Sequence, residues 1–344
     1  MSWPPISKPK DIYQYTALME DQQIPGFISC DWGTSRLRLR YVDTAGMQIL
    51  AEVFSNEGIG RVYNSWQALE GNPDRFSHFM AVITRELEKL EKIAGRSTTG
   101  VPLLCSGMGS SSIGIRELPY SGLPFGLDGS TATVANINTK KLSNPVFLIS
   151  GVKSEDDIMR GEETELLGAA HLIRKMPSEY TALLPGTHSK HIRVKKGEIS
   201  EFQTYMTGEI FDLLKTHSTL KYSVGEPGTP DWDNFRQGLQ KSRVQLLLKN
   251  LFQVRINEIL KGLSKKQNHD FLSGLLIGAE LQPLVSQDTG TIVLMGNDAI
   301  RPYYRQAMEY LGIGEKLLEV PTHIYDLSAL TGQWLIYQIQ TKTA

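Results

Sequence analysis

The sequence predicts an α/β protein of two lobes built on a duplicated core. The chain has 344 residues, too many for one ordinary core and suited to two domains of about 100–200 residues each. Short apolar runs bounded by Gly and Pro alternate with stretches of helical spacing, the pattern of sheets flanked by helices. One layout also occurs twice, about a domain length apart: apolar strand, Gly-Thr turn, basic alternating strand, Gly turn, third strand.

Residues 1–25 carry Pro4, Pro5, Pro9 and many polar side chains without the continuous apolar core of a signal peptide, and are expected to form an N-terminal extension. Residues 27–30 read as a strand that ends in the turn Asp31-Trp32-Gly33-Thr34-Ser35. Leu37, Leu39 and Tyr41 then alternate with Arg36, Arg38 and Arg40, which predicts a strand with its arginines facing outward. After Gly46, residues 47–54 complete an antiparallel meander. Phe76, Met80, Ile83, Leu87 and Leu90 predict a helix ending near Gly95. Residues 101–105 and 145–150 suit buried strands, and residues 162–173 a helix whose start is rich in acids, as the helix dipole favours.

The second copy opens with Leu183-Leu184-Pro185-Gly186-Thr187-His188-Ser189, and continues with Ile192 and Val194 alternating with His191, Arg193 and Lys195. Gly197 and a strand over residues 198–202 close it. Helices are expected over residues 209–220, 234–263 with a break, 270–284 and 299–311, interrupted by a strand over 291–295. The lobes are therefore expected at residues 26–178 and 179–344, with the last helix packing back on the N-terminal lobe and hinges around residues 175–179.

The 36 basic and 37 acidic side chains nearly cancel, which argues against a nucleic-acid or anionic-membrane partner. No stretch reaches the roughly 20 apolar residues of a membrane helix. Cys30 and Cys105, the only cysteines, lie in apolar runs and read as reduced, buried thiols, in keeping with the cytoplasm. A homo-oligomer is compatible with this composition.

A Gly-Thr turn between antiparallel strands can aim several N–H groups and a hydroxyl at one phosphate. Two such turns in corresponding places of two lobes, Gly33-Thr34-Ser35 and Gly186-Thr187-His188-Ser189-Lys190, suit a clamp on a nucleoside triphosphate. Asp31 supplies a carboxylate for Mg²⁺, or serves as a turn-forming Asp. The chain lacks the Gly-x-x-x-x-Gly-Lys-Ser/Thr loop and the dinucleotide fingerprint. Glu162, with Glu163 second, is the candidate base for a substrate hydroxyl; the alternative is that both merely complement a helix N-terminus. Arg160 can grip a carboxylate with its planar fork, or pair with Glu163 or Glu165. Ser106, Gly107, Met108 and Ser110 lie in a small-residue loop that can wrap a polyhydroxylated ligand or simply be a surface loop. Thr207 suits either an N-cap or a ligand contact, and Gly296-Asn297 either an adenine platform or an ordinary strand-to-helix turn capped by Asp298.

Together, Asp31-Trp32-Gly33-Thr34-Ser35, Met159-Arg160-Gly161-Glu162-Glu163-Thr164, Leu184-Pro185-Gly186-Thr187-His188-Ser189-Lys190, Met206-Thr207-Gly208-Glu209 and Ser273-Gly274-Leu275-Leu276-Ile277-Gly278-Ala279-Glu280 resemble the 2-dehydro-3-deoxygalactonokinases. The resemblance implies a duplicated ribonuclease H-like, actin/hexokinase-like two-lobed fold with mixed five-stranded sheets flanked by helices. It implies ATP and Mg²⁺ as cofactors and a small sugar acid as substrate. The first Gly-Thr turn looks like the phosphate-1 motif, the second like phosphate-2, and Gly296 like part of the adenosine motif. Two departures stand out: Gly107-Met108-Gly109-Ser110 and Gly114-Ile115 replace the family's usual Gly-Met-Val-Gly-Ser and Gly-Trp, and His191 stands where Trp is common. A kinase of 2-dehydro-3-deoxygalactonate is the expected activity; a kinase of another keto-sugar acid or sugar, or a non-catalytic nucleotide- or sugar-binding protein of the same fold, are the alternatives.

Overall fold

The computed structural model describes residues 26–342 apart from 72–73, 138, 140, 174, 245–246 and 288. The extension expected at residues 1–25 lies outside the described residues. In chain order the elements are β1 (Gly26–Trp32), β2 (Leu37–Asp43), β3 (Gln48–Ser55), α1 (Ile59–Gln67), α2 (Arg75–Ala94), β4 (Leu103–Gly107), β5 (Phe125–Gly126), β6 (Val134–Ile137), β7 (Val146–Ile149), β8 (Val152–Lys153), β9 (Ile158–Met159) and α3 (Glu162–Leu172). Then follow β10 (Glu179–Leu184), β11 (Ser189–Lys195), β12 (Glu198–Tyr205), α4 (Thr207–His217), α5 (Trp232–Val244), α6 (Leu247–Lys261), α7 (Lys265–Ser286), β13 (Thr291–Leu294), α8 (Arg301–Tyr310), β14 (Leu317–Glu319) and α9 (Thr322–Lys342). Among the described residues no helix is long and apolar enough to cross a membrane.

Two compact units emerge. The first holds described residues 26–176, 197–201 and 323–342, and the second holds 177–196 and 202–322. In the first, the strands run β3-β2-β1-β4-β7-β6. β1 is antiparallel to β2 and parallel to β4, so Cys30 stands opposite Leu39 on one side and Cys105 on the other. The period-two alternation of β1 sends Ile28, Cys30 and Trp32 into one core with Ile59 and Val62 of α1 and Phe79 and Ile83 of α2. Phe27, on the other face, joins Val42, Leu104 and Leu330, and stacks on Trp334 of α9 at 5.0 Å.

That second face explains a difference from the sequence-based expectation. Arg40 does not face outward; it is buried, its Nε on Glu52 and its Nη1 on the Asp326 carbonyl of α9. A helix from the far end of the sequence covers the face that β2 alternation assigns to solvent. α9 also ties the centre of this sheet, since Gln333 Nε2 donates to Cys30 O at 3.1 Å and to Ser106 Oγ at 2.8 Å.

The second sheet runs β14-β13-β10-β11-β12-β5. β10 is antiparallel to β11 and parallel to β13, which is parallel to β14. Leu183, Ile292 and Leu294 pack with Phe235, Leu239, Ile277, Leu281 and Met308. The order β3-β2-β1-β4-β7 thus recurs as β12-β11-β10-β13-β14: a ribonuclease H-like core, duplicated, of the actin/hexokinase-like kind. Each sheet has six strands where five were expected. The additions are the four-residue edge strand β6 and the two-residue β5, both too short to leave a periodic signal.

Gln333→Ala is expected to lower stability by about 1–3 kcal/mol, because it leaves buried polar groups of β1 and β4 unpaired. Urea unfolding checks this, and an unchanged midpoint would contradict it.

Candidate active site

Each Gly-Thr turn is backed by the N-terminus of a helix. In the first unit, Gly33 N–H donates to Arg36 O at 2.9 Å, closing the turn between β1 and β2. The N-terminus of α1 then presses on it from behind: Ile59 N–H donates to Gly33 O at 3.0 Å and Gly60 N–H to Thr34 O at 3.1 Å. In the second unit the N-terminus of α4 does the same, Glu209 N–H donating to Thr187 O at 3.0 Å. The helix N–H groups thus hold the carbonyls of Gly33, Thr34 and Thr187 on the side away from the open face of each turn. Among the described residues no backbone partner takes up the N–H groups of Thr34, Ser35, Thr187 or His188. Thr34, Ser35, Gly186, Thr187 and His188 are all exposed. Each turn is therefore a small nest of donors suited to an anion.

Such close approach requires a glycine at each helix start. A Cβ on Gly58 would stand 2.3 Å from Thr34 O, and one on Gly208 would stand 2.4 Å from Gly186 O. Sequence reasoning missed Gly58 and passed over Gly208. It placed an N-cap at Thr207, yet α4 starts at Thr207 itself, with Met206 as N-cap and no side-chain cap bond.

Other members of the second turn lie beneath it. Ser189 and Lys190 are buried; Ser189 Oγ accepts from Gly186 N–H at 3.4 Å, and Lys190 Nζ donates to His188 O at 3.1 Å. His188 is hydrogen-bonded to Glu209 through its Nε2. After β13, Gly296 is buried and Asn297 exposed, and Asn297 Oδ1 accepts from the N–H groups of Ala299 and Ile300 at 3.0 and 3.2 Å. Asn297 thus caps this turn, while Asp298 turns to Arg301 and Thr322.

The first unit gathers acids near its turn. Asp31 is the penultimate residue of β1, in register with Ser106 of β4. α3 begins close by, because Gly161 holds φ 108° and a Cβ there would lie 3.4 Å from Gly107 Cα. Asp31 is accessible, but the surrounding protein removes enough water to raise its carboxyl; Arg38 opposes that shift and Glu162 adds to it. Burial and the neighbouring Glu162 push Glu163 up to about 7, although Gly161 N–H and the Thr164 hydroxyl donate to it. Glu165 is pushed up to about 8, by desolvation first and then by Asp31 and Glu162, and it is hydrogen-bonded to Tyr325 of α9. Glu165 is a residue that sequence reasoning weighed only as a partner for Arg160; its i,i+3 spacing from Glu162 was the available signal.

Among these, Glu163 is buried and committed to the backbone at the start of α3, the helix-terminus role. Glu162 is half-buried and accepts from Arg160 N–H at 3.1 Å. Arg160 pairs with neither Glu163 nor Glu165: its Nη1 donates to Ser110 O at 2.6 Å and Ser110 Oγ at 2.8 Å, and its Nε to Tyr120 Oη at 3.0 Å. Ser106 and Ser110, expected on a substrate wall, are buried, the first holding Gln333 and the second Arg160. Gly107 and the half-buried Met108 form the rim where β4 ends. Among the described residues no group of three or more His, Cys, Asp or Glu forms a metal cage. Mutually repelling carboxylates without a full ligand set fit a Mg²⁺ that keeps its waters and arrives with phosphates.

The model of the 2-keto-3-deoxy-galactonokinase family matches residues 31–329. The chain is 30% identical over 295 residues to the 2-dehydro-3-deoxygalactonokinase of Escherichia coli (strain K12), covering 83% of this chain and 90% of that protein. It is 29% identical over 306 residues to a protein of Rhizobium meliloti (strain 1021) described by the same activity, covering 85% of this chain and 92% of that one. A crystal structure from Sinorhizobium meliloti, assigned to the same kind of enzyme, superposes with a TM-score of 0.73 at 26% identity, covering 91% of this chain and 98% of that chain.

Gly208→Ala is expected to lower kcat/KM for ATP by about 10–100-fold, the scale of a roughly 1 Å misplacement; steady-state kinetics with circular dichroism to confirm folding checks it. The raised carboxyls also give a sign for pH. Glu165 keeps its proton when folded at pH values where the unfolded chain has lost it, so its contribution to stability falls as pH rises from about 5 to about 8. Glu165→Gln should flatten that fall, measured by urea midpoints at the two pH values.

Proposed function

The chain belongs to the 2-keto-3-deoxy-galactonokinase family, and from that premise we propose that it transfers the γ-phosphoryl group of ATP to the 6-hydroxyl of 2-dehydro-3-deoxy-D-galactonate, giving the 6-phosphate. The observation that carries this reading is the pair of turns, each backed by a helix N-terminus whose N–H groups take up the carbonyls of Gly33 and Thr34 in the first turn and that of Thr187 in the second. The N–H groups of Thr34, Ser35, Thr187 and His188 are left without a backbone partner among the described residues. Gly33, Thr34 and Ser35 in one turn and Gly186, Thr187 and His188 in the other would bind the phosphates of ATP. Gly296 and Asn297 would border the adenosine. The reaction would take place in the cytoplasm, on a small sugar acid.

Mg²⁺ bound with ATP would neutralise charge on the phosphates, and Asp31 is the carboxylate suited to hold it through water. Glu162 is the better-placed base. It is accessible at the start of α3, whereas Glu163 is buried and spends its oxygens on Gly161 and Thr164. Glu162 would accept the proton of the 6-hydroxyl as the new O–P bond forms and the bond from γ-phosphorus to the bridging oxygen breaks, releasing ADP. The rim of Gly107 and Met108 would border the sugar acid. Arg160 supports that rim through Ser110 and Tyr120 and has a second terminal nitrogen to offer the substrate carboxylate.

Glu162→Gln is expected to lower kcat by about 10²–10⁴-fold with ATP affinity retained; near-normal kcat would move the role elsewhere. Kinetics over a panel of sugar acids should give the highest kcat/KM for 2-dehydro-3-deoxygalactonate. Equal turnover of the whole panel would sink that substrate, and ATP binding without any sugar-dependent ADP release would sink the kinase reading.

A further inference from the structure

The second unit holds a buried carboxylate that the phosphoryl-transfer account leaves unused. Glu280, on α7, is almost wholly buried, and both of its oxygens are engaged. Tyr304 Oη of α8 donates to Glu280 Oε2 at 2.7 Å, and His191 Nε2 of β11 lies 3.2 Å from Oε1. Tyr304 Oη also lies 3.2 Å from Ser189 Oγ, and Ser189 Oγ accepts from Gly186 N–H at 3.4 Å. Ser189 and Tyr304 are as buried as Glu280, and Tyr205 packs on the His191 ring with centroids 4.4 Å apart.

These contacts fix the direction of each proton. A carboxylate only accepts, so the Tyr304 proton goes to Glu280. The Ser189 hydroxyl must then give its own proton to Tyr304, which leaves its oxygen to accept from Gly186. The chain therefore runs Gly186 N–H to Ser189, Ser189 to Tyr304, Tyr304 to Glu280. It starts at the first residue of the exposed Gly-Thr turn and ends on a rigid helix of the core. A purely apolar filling would support the turn's position but not the orientation of its first peptide.

We propose that Glu280, Tyr304 and Ser189 are positioning residues that orient the 186–188 turn and so set the enzyme's affinity for nucleotide. The proposal rests on the reading of that turn as a phosphate-binding one. None of the three touches nucleotide; they act through Gly186. His191 holds the second oxygen of Glu280 and keeps the carboxylate aimed at Tyr304.

The test uses the full chain and four variants: Tyr304→Phe, Ser189→Ala, the double variant, and Thr187→Ala as a check on the turn itself. Calorimetry with MgADP gives nucleotide affinity, and steady-state kinetics gives KM for ATP and for the sugar acid. Tyr304→Phe and Ser189→Ala should each weaken MgADP and raise KM for ATP by about five- to tenfold, the scale of one buried hydrogen bond. KM for the sugar acid should stay within about twofold, a split that general loosening of the lobe would not produce. The double variant should be no weaker than either single one, since both break one chain. Unchanged nucleotide affinity, single effects that multiply, or a matching rise in sugar-acid KM would each overturn the proposal. If Thr187→Ala weakens MgADP while Tyr304→Phe does not, the positioning chain fails and the phosphate turn stands; if none of the four variants weakens MgADP, both fall. Should Tyr304→Phe not fold, Ser189→Ala carries the same comparison against Thr187→Ala.

Discussion

The arrangement depends on one hydrogen-bonding constraint. A turn that offers its N–H groups to an anion must not offer its carbonyls as well, because those oxygens would repel the same charge. Here the carbonyls of Gly33, Thr34 and Thr187 are taken from behind by the first N–H groups of α1 and α4. Helix N-termini have such donors to spare. The contact succeeds because Gly58 and Gly208 leave no side chain where helix meets turn. The order of the first three strands and the following helix, repeated in both units, follows from that requirement as much as from core packing.

Charge organises the rest of the first unit. Glu162 adds to the raised proton affinity of Asp31, Glu163 and Glu165, Asp31 and Glu163 add to that of Glu165, and Arg38 alone among the named partners opposes this at Asp31. Folding in the absence of a cation works against that repulsion. α9 contributes to holding the group together, through Tyr325 on Glu165 and through Gln333 on β1 and β4. The fold thus gathers carboxyl groups beside the first turn, and a metal–nucleotide complex bound there as proposed would link the stability of this unit to that ligand.

Much of this was legible in the sequence. The meander, both Gly-Thr turns, the acid-rich start of α3 and the strand β13 follow from periodicity and turn chemistry, which are local. What was not legible depends on partners far along the chain. Alternation sends Arg40 to solvent, but α9, nearly 300 residues away, covers it. Ser106 and Ser110 look like ligand donors in a small-residue loop, and their hydroxyls instead serve Gln333 and Arg160. Thr207 has the chemistry of an N-cap, yet α4 must start one residue early to reach the turn. Gly58 carries no periodic signal at all; its reason is a contact with Thr34, from which β2 and β3 separate it in the chain.

The central proposal is that each turn binds the phosphates of nucleotide, and amide hydrogen exchange tests it most directly. On addition of MgADP to the full chain, exchange should slow at the amides of Thr34 and Ser35 and at those of Thr187 and His188, with one shared dependence on nucleotide concentration. Protection confined to one turn, or two different concentration dependences, would contradict the account.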